Sequence, residues 1–490
     1  MKYRMSGRLS QLKPKDVFEY FEELTKIPHG SGDTKQISDY CAGVIREAGL
    51  SCTQDAMGNL IAVKEASEGY ENVPTVMLQG HLDMVNEKTT SSAHDFSKDA
   101  LDLRIDGDWI SAKNTTLGGD DGIAVAYMLA ILLNPNLRHP RLECVFTVDE
   151  EVGLLGANGL DVSGCRAKYL INLDNEEEGV FISSCAGGVR VDQILPIQRM
   201  ERTGRQYEIR MDHLTGGHSG SEIHKGHGNA NLLMGRLLFE LGQKLEQGFG
   251  LIACDGGQKD NAIPRSAAAR VVTDADPETF RTAVRGIADT LKKEYRYTDP
   301  DMEAETEECP EGAVQALTPS SQMKVLFLLR MEPNGVQAMS SAMEGLVETS
   351  LNLGVMKMEE EEFRACFSVR SSVESAKQDL VNRLTLLSEF LGGDVSLHGD
   401  YPGWEYQPES RLRERMLATW KDLFHTEAKV EAIHAGLECG LLLGKMPKLD
   451  AVSIGPDMKG VHTPQERLSI SSTRRCYEFL VRLLEDMKEE

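Results

Sequence analysis

Residues 117–153 read LGGDDGIAVAYMLAILLNPNLRHPRLECVFTVDEEVG. Positions 121–133 are almost continuously apolar and stop at Asn134-Pro135, where proline cannot continue a helix; they predict a helix with no solvated face. Positions 142–148 form a short apolar run that breaks off on Asp149-Glu150-Glu151, which predicts a buried strand. The same grain recurs at 60–63, 75–79 and 169–173. Strands alternating with a helix in this way predict an α/β fold, a mostly parallel sheet with helices on its faces.

Working outward, the pattern changes between residues 186 and 399. Strands expected at 207–211, 251–253 and 267–272 surround a helix at 229–245. A second set comprises a helix at 335–346, strands at 353–358 and 363–369, and a helix at 376–391. The two sets resemble a loosely repeated α+β unit. Beyond 400 the first pattern returns, with a helix at 409–424, a strand at 430–433, a helix at 438–443, a strand at 451–454 and a helix at 464–487. The expected organisation is one domain built from 1–185 and 400–490, with an α+β domain of two subunits, 186–399, inserted into it.

Composition excludes several partners. A formal charge of −24 over 490 residues disfavours nucleic acid and anionic membrane, both of which an acidic surface repels. The N-terminal MKYRMSGRLSQLKPKDVFEYFEEL lacks the apolar core of a signal peptide, and no run approaches the ~18 apolar residues that span a bilayer. The ten cysteines are scattered and form no CxxC pair, a usage that predicts a cytoplasmic protein.

Chemistry concentrates at the ends of the expected strands. Gly80-His81-Leu82-Asp83 follows the strand at 75–79, where α/β sheets place ligand sites. Asp83, two residues on, is placed to hold the His81 ring, a pairing that fixes the tautomer of a metal ligand. Gly118-Gly119-Asp120-Asp121-Gly122 opens the long helix; Asp121 is read as a cap complementing the helix dipole, and Asp120 as the ligand candidate. Asp149-Glu150-Glu151 sets three acids side by side, a repulsion that a cation removes. Adjacent residues at a strand end point in different directions, so Glu151 is the candidate ligand and Glu150 the candidate base. Asp174 ends the next strand, and His462 precedes the last helix. Two histidines and three carboxylates form a donor set suited to divalent ions such as zinc or manganese.

The ordered motifs GHLDM, GGDDG, DEEVG, INLDN and VHTP resemble those of the aminoacyl-histidine dipeptidases (cytosolic non-specific dipeptidases), a branch of the co-catalytic zinc peptidases that includes carnosinases and peptidase T. The resemblance spans essentially the whole chain. It implies two divalent ions, zinc in expectation with manganese or cobalt as alternatives, bridged by Asp120. His81 and Asp174 would complete one site, Glu151 and His462 the other. Glu150 would be the general base, Asp83 the orienter of His81, and 1–185 with 400–490 the catalytic di-metal domain. In the inserted lid, His218 in GGHSG would polarise the scissile carbonyl, while Asn261 and Arg370 would hold the substrate, the arginine through its free carboxylate. Glu438 falls in a loop resembling a family substrate site. One departure is Glu176-Glu177 after INLDN.

The expected reaction is hydrolysis of dipeptides, including Xaa-His and β-alanyl-histidine, by a metal-bridging hydroxide. A small peptide would be the substrate and a homodimer the assembly, with the doubled lid serving its own chain. The alternatives are a sister tripeptidase, carboxypeptidase or deacetylase, or a non-catalytic metal-binding scaffold. His29, His94, His139, His213, His398 and His425 are expected to be solvated or locally bonded; His224, His227 and His434 lie near the lid and loop motifs.

Overall fold

The computed structural model describes residues 7–489, so the expectation for the N-terminal segment falls partly on residues outside it, as does residue 490. The fold is α/β, and its contacts separate two compact units. One comprises the chain up to Ser184, Tyr406–Ala432, and the chain from Leu437 onward; the other comprises Cys185–Glu405 with Ile433–Gly436. Residues 401–405 and 433–436 join the second unit through its backbone. Tyr401 pairs with Gly188, Trp404 exchanges hydrogen bonds with Cys185, and Ala186 N donates to Ala435 O. No described helix is long and apolar enough to cross a membrane.

The first unit is built on an eight-stranded sheet in the order Ser51–Gln54, Leu60–Lys64, Leu142–Thr147, Val76–His81, Tyr169–Asn172, Asp450–Ser453, Val180–Cys185, Lys429–Ile433. The central four strands run parallel, so their carboxyl ends share one edge. In register, His81 lies beside Thr147, and Gln79 and Ser453 beside Asn172. The helix Gly119–Leu133 packs on the strand Val76–His81 and against the helices Lys15–Leu24, Lys35–Glu47 and Ile470–Asp486. Enclosure on every side explains its unbroken apolar sequence: Ile123, Val125, Met128, Leu129 and Ile131 are fully buried, each worth about 1.5–3 kcal/mol.

The C-terminal helix starts later than expected, at Ile470. Residues ahead of it form a small hairpin, Met458–Lys459 with Arg467–Ser469, extended by Trp109–Ala112 and Leu103–Asp106. Backbone pairing there overrides the helical pattern read from 464 onward. His462 therefore sits at a hairpin tip, with φ +61, and not at a helix start.

In the second unit the two α+β sets are halves of a single antiparallel sheet. Its order is Glu303–Leu317, Arg199–Asp212, Ala267–Thr273, Gly250–Gly256, Val347–Met358, Glu362–Ser371, Gly187–Pro196, Asp394–Tyr401, and the halves meet at Gly256 and Met356. Helices Ala230–Lys244, Pro277–Glu294, Pro319–Met331 and Glu374–Leu391 bury their apolar faces in one shared core. The helix expected at 335–346 is absent. Gly335–Met339 is a strand paired with Val347–Met358: Asn334 Oδ1 accepts the Leu353 backbone N–H at 2.9 Å, and Gly335 takes φ +79, starting an extended segment. The acidic run at 303–308 lies on the edge strand Glu303–Leu317, its carboxylates largely exposed.

Candidate metal centre

The parallel edge gathers the acids and histidines of the first unit. His81, the last residue of its strand, donates its backbone N–H to Asp121 Oδ2 at 3.1 Å. Its ring Nε2 lies 3.1 Å from Asp120 Oδ1 and 3.9 Å from Asp174 Oδ1. His462 Nε2 lies 3.1 Å from Asp120 Oδ2 and 2.8 Å from Glu151 Oε1. Each oxygen of Asp120 thus faces a different imidazole, with Asp174 beside the first and Glu151 beside the second. The structure brings all five expected ligands together, from segments up to 381 residues apart, His81 to His462.

Asp83 does more than the sequence suggested. The partner nearest His81 Nδ1 is the Asp83 carbonyl, at 3.0 Å, while its carboxylate stands at 3.4 Å. That carboxylate accepts the backbone N–H of Glu150 at 3.0 Å, that of Glu151 at 3.3 Å, and the Ser31 hydroxyl at 2.8 Å. It therefore shapes the acidic turn. Glu150 is left with its own carboxylate making no hydrogen bond to a described residue.

Two readings need correction. Asp121 is not a helix cap: its carboxylate is fully buried and braces the His81 backbone. Glu438 is not presented to a substrate. It is completely enclosed at the start of the helix Glu438–Lys445, accepting hydrogen bonds from Gln79 and from Thr147 Oγ1, the latter at 2.6 Å. Its partners lie on two central strands, which no local pattern reveals. Sequence reasoning also missed Glu466, which accepts backbone N–H groups of residues 117–120, and Ser31. Glu176 was noted only as a departure; burial and the Asp120 charge push its carboxyl up to about 7.

The protonation pattern tests whether a cation fits. Burial raises the Asp174 carboxyl well above the usual range, with Asp120 and Asp121 adding repulsion. Burial likewise pushes Glu150 up to about 8; His81 opposes this, and Glu438, Glu151 and Asp120 reinforce it. His462 is driven up to about 11 by hydrogen bonds to Asp120 and Glu151. Crowded acids holding protons, and histidines forced to charge, mark a place where divalent cations would replace protons. His81 with Glu150 and Glu151, and Asp120 with Glu151 and His462, each place three donor atoms within 4.8 Å of one another. Imidazole and carboxylate donors at this density suit zinc or manganese.

Metal removal should therefore leave a pH signature. A carboxyl whose pKa is raised in the fold lends stability while neutral; this is fully present below about 4.5 and lost as pH climbs through the folded value. Glu150 at about 8 and Glu438 at about 7 lose it between pH 5 and 8, and His462 loses its share above 6.5. The Tm of chelated protein should fall from pH 5 to 8, and metal should reduce that fall. A flat Tm curve in chelator would contradict the assignment.

The second unit holds its own polar cluster. A two-stranded ribbon pairs Gly217–His218 with Ala262–Ile263, and Ser219 N donates to Asn261 O at 2.9 Å. Gly216 and Gly217, at φ +69 and +134, adopt conformations that side chains resist. His218 Nδ1 accepts the N–H groups of Gly220 and Ser221 at 3.2 and 3.1 Å, so the proton of the neutral ring sits on Nε2. Burial and the Arg370 charge keep that ring neutral. Burial first, then Arg370, lowers His434 to about 3, while its Nε2 lies 2.7 Å from Ser350 Oγ. Arg370 is nearly buried, donates to Tyr401 Oη at 3.3 Å, and leaves Nε without a partner. An arginine flanked by neutral histidines, and ion-paired with no described residue, is poised for an external anion.

A parallel sheet edge carrying histidines and carboxylates, in a chain with an inserted α+β domain, is the framework of a metal-dependent peptidase. The chain belongs to peptidase family M20/M25/M40, whose model matches residues 77–486. It is 37% identical over 484 residues to the cytosol non-specific dipeptidase of Escherichia coli (strain K12), covering 98% of this chain and 99% of that one. The structure of aminoacylhistidine dipeptidase from Vibrio alginolyticus superposes with a TM-score of 0.90 at 34% identity, 98% of each chain being covered. Aminopeptidase PepT from Bacillus cereus, at 15% identity and a TM-score of 0.56 over 97% of this chain and 99% of that one, shares the fold.

Proposed function

We propose that this chain is a cytoplasmic dipeptidase that hydrolyses the peptide bond of dipeptides, Xaa-His and β-alanyl-histidine among them, using two divalent ions, zinc by preference. The observation that carries the reading is Asp120, whose two oxygens each face an imidazole at 3.1 Å, with Asp174 and Glu151 beyond them. It is supported by full-length similarity to dipeptidases. Ten free cysteines accord with a reducing compartment, and the relative from E. coli is a cytosol enzyme. A homodimer is the proposed assembly, to be checked by sedimentation.

In this reading His81, Asp120, Glu151, Asp174 and His462 hold the ions. When bound, the ions supply Lewis-acid polarisation and an acidified water. Glu150 takes the proton of the attacking water and returns it to the leaving amine. Asp83 keeps Glu150 and Glu151 in place. His218 donates from Nε2 to the oxygen on which charge develops. Asn261 holds the peptide and Arg370 clamps its carboxylate.

The test is release of free histidine from β-alanyl-histidine by chelated protein resupplied with zinc, manganese or cobalt, with tripeptides and N-acetylated amino acids alongside. Cleavage of dipeptides only after metal is restored is expected. Metal-independent cleavage, or preference for tripeptides or acetylated substrates, would refute the proposal.

The Arg370 assignment has its own check. Arg370→Lys removes the planar paired contact, and losing a charged hydrogen bond of about 1.5–3 kcal/mol should lower kcat/KM roughly 10- to 150-fold on free dipeptides. Dipeptides amidated at the C-terminus should be poor substrates of the parent enzyme and lose little more in the variant. Equal losses on both would remove Arg370 from substrate binding.

A further inference from the structure

We infer that Glu466 is a positioning residue that clasps the two ligand-bearing loops of the metal centre and sets Asp120 and His462 at their working separation. The inference rests on the reading of those two residues as metal ligands.

Glu466 is 2% exposed, and its carboxylate is wrapped by four consecutive backbone N–H groups. Oε2 accepts from Leu117 at 2.7 Å and Gly118 at 3.2 Å. Oε1 accepts from Gly119 at 2.7 Å and, more weakly, from Asp120 at 3.4 Å. Successive amides converging on an anion form a nest. Here the anion belongs to the protein itself. The nest is tight: a Cβ on Gly119 would stand 3.2 Å from Glu466 Oε1, closer than an ordinary contact, and Gly118 takes φ +67.

The other end of the clasp is the hairpin tip that carries His462. Met458 pairs with Leu468 and Lys459 with Arg467. Within the tip Thr463 N donates to Gly460 O at 3.1 Å, and Glu466 N donates to Thr463 O at 3.0 Å. Glu466 thus closes the turn that presents His462 while gripping the turn that presents Asp120. The two ligands reach each other at 3.1 Å, although 342 residues separate them in sequence. Asp120 offers its other oxygen to His81 at the same distance, so a displaced 117–120 turn would spoil both halves of the centre together. Partners beyond the ligands commonly govern metal affinity by about 10- to 100-fold.

The test is titration of chelated full-length protein with zinc, and with cobalt for its visible spectrum. Glu466→Gln keeps the size but places an amide NH₂ against amide donors. It should weaken metal affinity about 10- to 100-fold, change the cobalt ligand-field bands, and shrink the rise in Tm that metal produces. Glu466→Asp, which keeps the charge, should show the same changes to a smaller degree; it carries the comparison if the glutamine variant does not fold. A residue that only supported the fold would lower Tm equally with and without metal. Unchanged affinity, spectrum and metal-induced Tm rise would therefore overturn the inference, whatever the stability of the metal-free form. Asp120→Ala is measured in parallel. If it binds metal like the parent, the ligand reading itself has failed; if it loses metal while both Glu466 variants bind normally, only the clasp has failed.

Discussion

Glu150→Ala is expected to lower kcat by about 10²–10⁴-fold while metal content stays at that of the parent. Glu150 stands in the acidic turn that follows Thr147, its backbone held by Asp83 at 3.0 Å, and its carboxylate forms no hydrogen bond with a described residue. Such a group is free to move a proton. A rival role exists, because His81, Glu150 and Glu151 also place donor atoms within 4.8 Å of one another. Metal analysis separates the two: loss of an ion from the variant would make Glu150 a ligand. A fall in kcat of less than tenfold, about 1.4 kcal/mol of barrier, would remove it from proton transfer.

Asp120→Ala should abolish metal binding and the stability linked to it. Both oxygens of Asp120 are engaged at 3.1 Å, one with each histidine. Metal held at a hundredfold excess over Kd adds about 2.7 kcal/mol to stability. The Tm difference between loaded and chelated parent, of about 3–5 °C on that scale, should vanish in the variant. A variant that binds both ions and retains the full metal-induced rise in Tm would refute a shared ligand.

The sheet and the candidate ligands at its edge were legible because their signals are local. A buried strand reads as an apolar run, and an acid or histidine at its end stands out against that background, as His81, Glu151 and Asp174 do. Elsewhere the local signal misled. Residues 335–339 and 467–469 are strands because a neighbouring strand supplies their hydrogen bonds, and that partner is invisible to a single-chain pattern. The roles expected of Asp121 and Glu438 were misjudged for a related reason. Both are buried carboxylates whose partners, the His81 backbone in one case and Gln79 with Thr147 in the other, come from distant strands.

The sequence by itself determined the alternation of strands and helices, and with it the shared edge where parallel strands end. It also determined which residue types stand at that edge, because periodicity and chain breaks are properties of neighbours along the chain. Tertiary structure decided everything that depends on closure between distant segments. It set Asp120 between His81 and His462, turned Asp83 toward the Glu150–Glu151 backbone, and sealed Glu438 beneath the strands. It also wrapped the 117–120 turn around Glu466, across a separation of 346 to 349 residues. The physical reason is that a buried carboxylate must find donors or cations wherever the folded chain brings them, and sequence distance places no limit on that choice.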